Sequence, residues 1–303
     1  MKKIFVLASF VYDLVTTMKR FPEAKESVLG EKFQTFPGGK GANQTVAIKR
    51  LGGDVIVNGK VGDDDFGHRF KKLLKEEGID DSNILYGNES TGIGCVQVDL
   101  TGQNRICVVM GANYEFNLED LNIETLEKCD IFMTQFEMRK EVSEGAIKIA
   151  KEKGLLTIVN PAPAREIDKD VYPCIDYITP NEKEAEVLTG IKVDNLEDAY
   201  RAGEALLNKG VKNVVITWGD NGCVFINKDK EMHVKGYKAN VVDTVAAGDS
   251  FNGALAFAIA NDYDIEYALK FANAMGALTT ETKGAIPSLR KYADVIAFMD
   301  KQK

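Results

Sequence analysis

Residues 240–254 read Asn-Val-Val-Asp-Thr-Val-Ala-Ala-Gly-Asp-Ser-Phe-Asn-Gly-Ala, and two aspartates, Asp243 and Asp249, bracket the small residues Ala246, Ala247 and Gly248. The chain then runs to Ala260 in residues that favour helix. Small residues opening a helix leave backbone N–H groups facing outward, and the helix dipole favours negative charge there. Ala246, Ala247 and Gly248 are therefore candidates for an anion hole. Asp249 falls in the first turn beside it, where a carboxylate can take the proton of an attacking hydroxyl. An anion cradle with an adjacent base is the minimum equipment for phosphoryl transfer. A lone Gly-Asp pair is more often an ordinary helix start, so this reading rests on the whole run.

A second chemically pointed run lies near the N-terminus: Phe36-Pro37-Gly38-Gly39-Lys40-Gly41-Ala42-Asn43-Gln44, ahead of a helix-like stretch. Glycines at 38, 39 and 41 let a backbone approach a polyhydroxy ligand without Cβ clashes, and Lys40 and Asn43 supply donors. It is not a Walker A loop, because Gly41 stands where Ser or Thr is required. Further along, Asn181 and Glu184 are spaced to share one face of a helix start. They suit a hard cation, which takes oxygen ligands. They equally suit an Asn N-cap with an acidic third position.

Taken together, these runs resemble the ribokinase-like (PfkB) carbohydrate kinases, whose second signature has the core Asp-Thr-x-Ala-Ala-Gly-Asp-x-Phe-Asn-Gly. Other segments agree in the same order, from about Ile4 to Pro287: Ala8–Asp13, Thr134–Glu137, Asn160–Arg165, Thr179–Glu186 and Lys283–Ser288. The resemblance implies transfer of the ATP γ-phosphoryl group to a primary sugar hydroxyl, O5 of a pentose, with Asp249 as base. It places Asp13, Gly39, Lys40, Gly41, Asn43 and Glu137 around the sugar. Asn181, Thr217, Gly219, Asp220, Gly222, Gly248 and Asn273 would meet the nucleotide. It further implies Mg²⁺ near Asn181 and Glu184, through water. A monovalent cation, potassium, would lie among Asp243, Val245, Thr279, Thr282, Gly284 and Ser288. Trp218 beside the Gly219–Gly222 turn reads as a half-buried packing residue.

The elements that must position these residues are legible as an alternation. Short apolar runs at 4–7, 55–58, 131–133, 155–159, 177–179 and 214–217 read as buried strands. Amphipathic stretches at 65–77, 141–153 and 196–208 read as helices between them, and 290–303 as a terminal helix. The pattern predicts an α/β fold with a doubly wound, mostly parallel sheet, formed by one unit over 1–303. Ligands should gather at the strands' carboxyl ends, where Asp13, Glu137, Asn181 and Thr217 are expected. Segments 11–36 and 91–110 break the alternation. In the second, runs at 94–99 and 105–109 flank Thr101-Gly102-Gln103-Asn104 as a hairpin. In the family such segments make a small β-sheet lid over the sugar and a homodimer interface, and a lid would keep water from competing as acceptor.

Composition narrows the partners. A formal charge of −8 over 303 residues argues against nucleic acid or an anionic membrane. Asp13 and Lys19-Arg20 interrupt the first apolar run too early for a secretory leader. The five cysteines are scattered and never spaced Cys-x-x-Cys, as expected of reduced thiols in cytoplasm. Two distant histidines do not make a zinc site.

Val11 bears on the substrate. Ribokinases usually carry an asparagine two positions before the sugar-binding aspartate, whereas deoxyribokinase-like relatives carry an apolar residue there. Valine cannot hydrogen-bond a hydroxyl near C2. The expectation is ribose, with 2-deoxyribose as the alternative and an adenosine kinase-like substrate or pyridoxal behind them. A sugar-sensing binding protein on the same fold would be expected to lose Asp249 or its cradle, and both are intact. A dinucleotide-binding dehydrogenase would want Gly-x-Gly-x-x-Gly where Ala8–Asp13 stands.

Overall fold

The computed structural model describes residues 1–302. Its first strand, β1 (Ile4–Leu7), is buried on both faces: Ile4 and Val6 join one hydrophobic core, Phe5 and Leu7 the other. Successive side chains on a strand point to opposite faces, so an unbroken apolar run requires a covered layer on each side. The same holds for Ile131, Met133 and Ile158 on one side, against Phe132 and Val159 on the other.

The strands that follow are β2 (Val11–Met18), β3 (Gly30–Gly38), β4 (Val55–Gly62), β5 (Ile84–Gly87), β6 (Gly92–Val98) and β7 (Asn104–Val109). The second half adds β8 (Ile131–Gln135), β9 (Leu156–Asn160), β10 (Tyr177–Ile178), β11 (Asn213–Thr217), β12 (Cys223–Asn227) and β13 (Glu231–Val234). Among the described residues, nine strands form one sheet in the order β13-β12-β11-β10-β9-β8-β1-β4-β5. From β5 to β11 every pairing is parallel, and β12 and β13 close the far edge antiparallel. This is the doubly wound, mostly parallel α/β architecture that the alternation predicts. Helices Lys40–Arg50, Asp65–Glu76, Ala247–Ala260 and Ile265–Thr279 cover one face, and Lys140–Glu152, Glu182–Thr189 and Leu196–Asn208 the other.

The remaining strands form a smaller sheet in the order β3-β2-β6-β7. Its outer strand β7 is exposed along all six residues. The side chain of Asn113 pins the roots of this sheet: it exchanges two 2.8 Å bonds with the backbone of Phe10 and donates to the Met110 carbonyl at 2.7 Å. One expectation is corrected here. Asp13 does not sit at the carboxyl end of β1; it is the third residue of β2, in the small sheet. The apolar run of β1 ends at Leu7, and the chain leaves the large sheet before Val11. The expected terminal helix forms over Tyr292–Asp300, and Lys303 lies outside the described residues.

Gly41 fixes how the helix Lys40–Arg50 docks on the sheet. A Cβ there would lie 2.3 Å from the Ala8 Cα and 2.5 Å from the Ser9 nitrogen. Gly41 thus serves close packing within the chain rather than close approach of a ligand. Gly39, at φ 89°, is likewise hemmed in by the backbone of Ser9, Phe10 and Val11. Gly41→Ala is expected to destabilise the protein by about 1–3 kcal/mol, the usual cost of overpacking. Denaturant unfolding would read this, and unchanged stability would mean that β1 and the helix are not held at contact distance.

Candidate active site

The helix Ala247–Ala260 begins abruptly. Ala246, its N-cap, takes φ 63° and ψ 8°, a left-handed conformation uncommon for a residue with a Cβ. This turn swings the backbone into the helix without a capping side chain, so the first N–H groups are left for an outside acceptor. The Ala247 amide makes only a long 3.3 Å bond to the Thr244 carbonyl. The structure thus brings Ala246, Ala247 and Gly248 into the lining of a cleft, as an anion hole requires.

Asp249 is the third residue of that helix and is buried, yet it lines the cleft. Asn43 donates from Nδ2 to its Oδ2 at 2.7 Å, and Gln44 reaches Oδ1 from Nε2 at 3.5 Å. The two runs singled out in the sequence therefore meet, 206 residues apart. The other oxygen of Asn43, Oδ1, is buried without a partner.

Behind Asp249 lies a polar network that sequence reasoning missed. Gln44 is wholly buried, donates to Asn160 Oδ1 at 3.1 Å and accepts from Gln135 Nε2 at 2.5 Å. Thr179 donates to Asn252 Oδ1 at 2.5 Å, and Asn252 in turn bonds the Gly248 carbonyl at 2.9 Å. Gln135 and Asn160 are the last residues of β8 and β9, and Thr179 follows β10. The available signal was a polar residue ending each apolar run. Buried polar groups persist only where they are paired, so this network fixes where Asp249 and Gly248 stand.

On the side of the small sheet, Glu137 Oε2 accepts from Ser9 Oγ at 2.6 Å and from the Lys40 amide at 2.8 Å. Asp13 projects between two glycines: a Cβ on Gly94 would lie 2.2 Å from its Oδ1, and one on Gly38 3.3 Å from its Oδ2. Burial first, and the charge of Glu137 second, push the Asp13 carboxyl up to about 6. Burial also raises Glu137, against the opposing pull of Lys40. The Lys40 ammonium is held above its ordinary value, foremost by Asp249 and further by Glu137 and Glu184. Lys40 lines the cleft beside Asp249.

The cleft beyond them measures about 1120 Å³. Thr217, Gly219, Asp220, Gly222, Asn181 and Asn273 all line it, as expected of nucleotide contacts, with Asn181 bridged to Thr217. Asn273 holds its wall by donating to the Val234 carbonyl at 3.1 Å. Gly222, at φ 91°, leaves no room for a Cβ against the Val234 carbonyl, 2.1 Å away. Trp218 is half-buried with its ring centroid 6.0 Å from that of His233, and His233 rather than Trp218 faces the cleft. The segment from Lys235 to Val241 supplies the remaining wall, and its sequence carried no signal.

Asn181 and Glu184 form a full capping box. The Glu184 amide donates to Asn181 Oδ1 at 2.9 Å, and the Glu184 carboxylate accepts from the Asn181 N and Nδ2, each at 2.9 Å. Both Glu184 oxygens are thus engaged, and no group of three or more His, Cys, Asp or Glu among the described residues could cage a metal. The donor set fits a hydrated divalent cation met through water, which is how Mg²⁺ commonly binds beside phosphates. Around the other expected cation site, Asp243 ties two loops together, accepting from Val245 N at 3.1 Å and Gly284 N at 2.9 Å. Thr279 Oγ1 is buried there without a partner, an oxygen a monovalent cation would satisfy. The Ser288 hydroxyl bonds the Ala285 carbonyl at 2.6 Å, and Thr282 Oγ1 accepts from Arg290.

Comparison with known proteins follows the same lines. Residues 1–291 match the pfkB family carbohydrate kinase profile. The chain is 34% identical to a ribokinase of Haemophilus influenzae, covering 99% of each. It is also 34% identical to a deoxyribokinase of Salmonella typhi, over 97% of this chain and 98% of the relative. The structure of Arabidopsis thaliana ribokinase complexed with ribose and ATP superposes with a TM-score of 0.92 at 28% identity, covering 98% of both chains.

Two outcomes follow from the site's electrostatics and packing. The Asp13 carboxyl goes from 3.8 unfolded to about 6 folded, so its proton favours the folded state. That contribution is full below about pH 4 and is lost as the pH rises through about 6. Asp13→Asn should therefore stabilise the empty protein at pH 7 by up to about 3 kcal/mol, with little gain at pH 4. Denaturation curves at the two pH values would show it, and an equal effect at both would contradict the strained carboxylate. Gln44→Leu, which strands Gln135 and Asn160, should cost about 1–3 kcal/mol in the same measurement. A neutral result would mean the network does not hold the site.

Proposed function

The chain belongs to the pfkB family of carbohydrate kinases, and we propose that it is an ATP-dependent ribokinase, transferring the γ-phosphoryl group to the 5-hydroxyl of D-ribose. The observation that carries this is the hydrogen bond from Asn43 to Asp249 beside the open helix start of Ala246–Gly248, with Asp249 and that helix start lining one cleft. The ribose assignment is supported by the ribokinases among its relatives and structural neighbours.

In this reading the sugar lies between Asp13, Gly39, Lys40, Asn43 and Glu137. The unpartnered Asn43 Oδ1 accepts from a sugar hydroxyl, and Glu137 Oε1, the oxygen not bound to Ser9 and Lys40, accepts another. The 5-hydroxyl gives its proton to Asp249 as its oxygen bonds the γ-phosphorus. The bond from that phosphorus to the β–γ bridging oxygen breaks, and ADP leaves. Amides at Ala246–Gly248 hold the charge on the transferring group, and Lys40 adds a fixed positive charge beside it. The nucleotide occupies the outer cleft along Asn181, Thr217, Gly219, Asp220, Gly222 and Asn273. Asn181 and Glu184 would hold Mg²⁺ through water, and the ion would supply neutralisation of phosphate charge. Potassium would be held among Asp243, Val245, Thr279, Thr282, Gly284 and Ser288, where it would steady the loop that carries the anion hole.

The small sheet acts as a lid that keeps water from the acceptor. Its exposed apolar residues Ile106 and Val108, on one face of the sheet, support a homodimer formed through it. No helix among the described residues is long and apolar enough to cross a membrane, and a cytoplasmic location suits the unpaired cysteines.

A second reading, 2-deoxyribose, is favoured by Val11. It is 4% exposed and two residues before Asp13 on β2, hence on the same face of the lid. A screen of ribose, 2-deoxyribose, fructose and adenosine with ATP, Mg²⁺ and K⁺ separates the readings. Ribose is expected to turn over fastest; preference for 2-deoxyribose would make Val11 the determinant, and no turnover of any sugar would overturn both. Asp249→Asn should lower kcat by on the order of 10²–10⁴, the usual scale for a general base, with the sugar KM little changed. Retained kcat would remove Asp249 from the base role.

A further inference from the structure

Cys95 and Cys107 stand directly opposite each other in the antiparallel pair β6–β7, and both are exposed. Of the other cysteines, Cys129 and Cys223 are buried and Cys174 is half-buried, so this is the one place where the register sets two accessible thiols face to face. Opposed residues in an antiparallel pair share a face, with Cα atoms about 4.5–5.5 Å apart and Cβ atoms at a similar distance. A disulfide accepts Cα separations of about 4.4–6.8 Å and wants Cβ atoms about 3.5–4.5 Å apart. Closure therefore asks for an approach of about 1 Å at most. The edge strand β7, exposed at every residue, can supply it.

We propose that Cys95 and Cys107 form a thiol oxidation site, closed into an intramolecular disulfide by low-molecular-weight disulfides of the glutathione class. The thiolate of one cysteine attacks the oxidant's disulfide, forming a mixed disulfide and releasing one small thiol. The second cysteine's thiolate attacks the protein sulfur of that mixed disulfide and releases the second small thiol. One S–S bond forms in the protein and one breaks in the oxidant; the two protein thiols are oxidised, and their protons leave with the two thiols produced. The slight compression needed gives the bond the higher, more reducible potential of a labile cross-strand link rather than of a structural one. The pair is therefore open in a reducing compartment and closes when that compartment is oxidised.

The position couples the bond to the sugar side. Gly94, whose missing side chain makes room for the Asp13 carboxylate, immediately precedes Cys95. The cysteines thus lie on the face of the small sheet turned away from Asp13, as does Val109, while Ile106 and Val108 lie on the Asp13 face. A dimer built on Ile106 and Val108 leaves both thiols outside it.

The test is equilibration of the intact protein in glutathione disulfide and glutathione mixtures, followed by free-thiol counting, non-reducing electrophoresis and peptide mapping. The expected product is a monomeric chain that has lost two thiols, with Cys95 linked to Cys107. C95S and C107S should each abolish it, whereas C129S and C174S should leave it. Stable glutathione adducts on both cysteines, a link between two chains, or two thiols that stay free would each overturn the site. The sugar KM of the oxidised form should shift while the ATP KM stays put; an unshifted sugar KM would overturn the coupling to Asp13. Thiol counting needs no turnover, so this site stands or falls independently of the substrate.

Discussion

A single ammonium group, that of Lys40, faces three carboxylates: Asp249, Glu137 and Glu184. Like charges this close in a poorly solvated pocket do not persist unless something compensates them. Much of the surrounding structure serves to keep that compensation in place. Glu137 is tethered to the backbone of Lys40 itself, and Glu184 is locked by Asn181. Asp249 is held by Asn43, three residues along the same helix as Lys40. The helix can stand where it does because Gly39 and Gly41 let it close on the end of β1. Remove the fit at Gly41, and the cation and the carboxylates lose their common frame.

The same arrangement divides the site into two halves that meet at one point. Asp13, Asn43 and Glu137 belong to the side of the small sheet, while Asn181, Thr217 and Asn273 belong to the cleft. Lys40 and Asp249 touch both. A group transferred between two bound molecules needs this geometry, because the reacting atoms must meet within van der Waals distance while each molecule keeps its own contacts. The left-handed turn at Ala246 is the local strain that makes it work, since it aims unpaired amides at the junction.

The main architecture was readable because burial writes itself into period and composition. β1, β8, β9 and β11 are apolar on both faces, and only a sheet covered on both sides wants such runs. The signature residues were readable because they lie in unbroken runs: Ala246–Asp249 and Gly38–Asn43 each carry several constrained positions together. What escaped reading was distributed. Gln135, Asn160 and Thr179 look like ordinary polar strand ends until the sheet lines them up beneath Gln44 and Asn252. Gly41 was read as making room for a ligand, when it makes room for Ala8. Asp13, expected at a strand end of the large sheet, sits instead inside segment 11–36, whose broken alternation marks the small sheet; only five residues separate it from the last apolar residue of β1.

That displacement of Asp13 changes how the site should be understood. Asp249 rides on a helix packed into the larger core, with buried neighbours from Ser250 to Ala258. Asp13 rides on a four-stranded sheet whose outer strand is bare and whose roots are gripped at Phe10 and Met110 by one side chain, Asn113. A sheet pinned at its root and free at its edge can tilt as a body far more cheaply than the core can deform. An acidic group carried on that sheet, crowded by Glu137 and poorly solvated, gains when hydroxyl donors arrive to replace the missing water. Under the proposed sugar-kinase reading, the unfavourable charge at Asp13 in the empty site would favour contact between the small sheet and a polyhydroxy ligand. Recognition and positioning of the small sheet would then be coupled through one carboxylate, whose crowding by burial and Glu137 a hydroxyl donor would relieve.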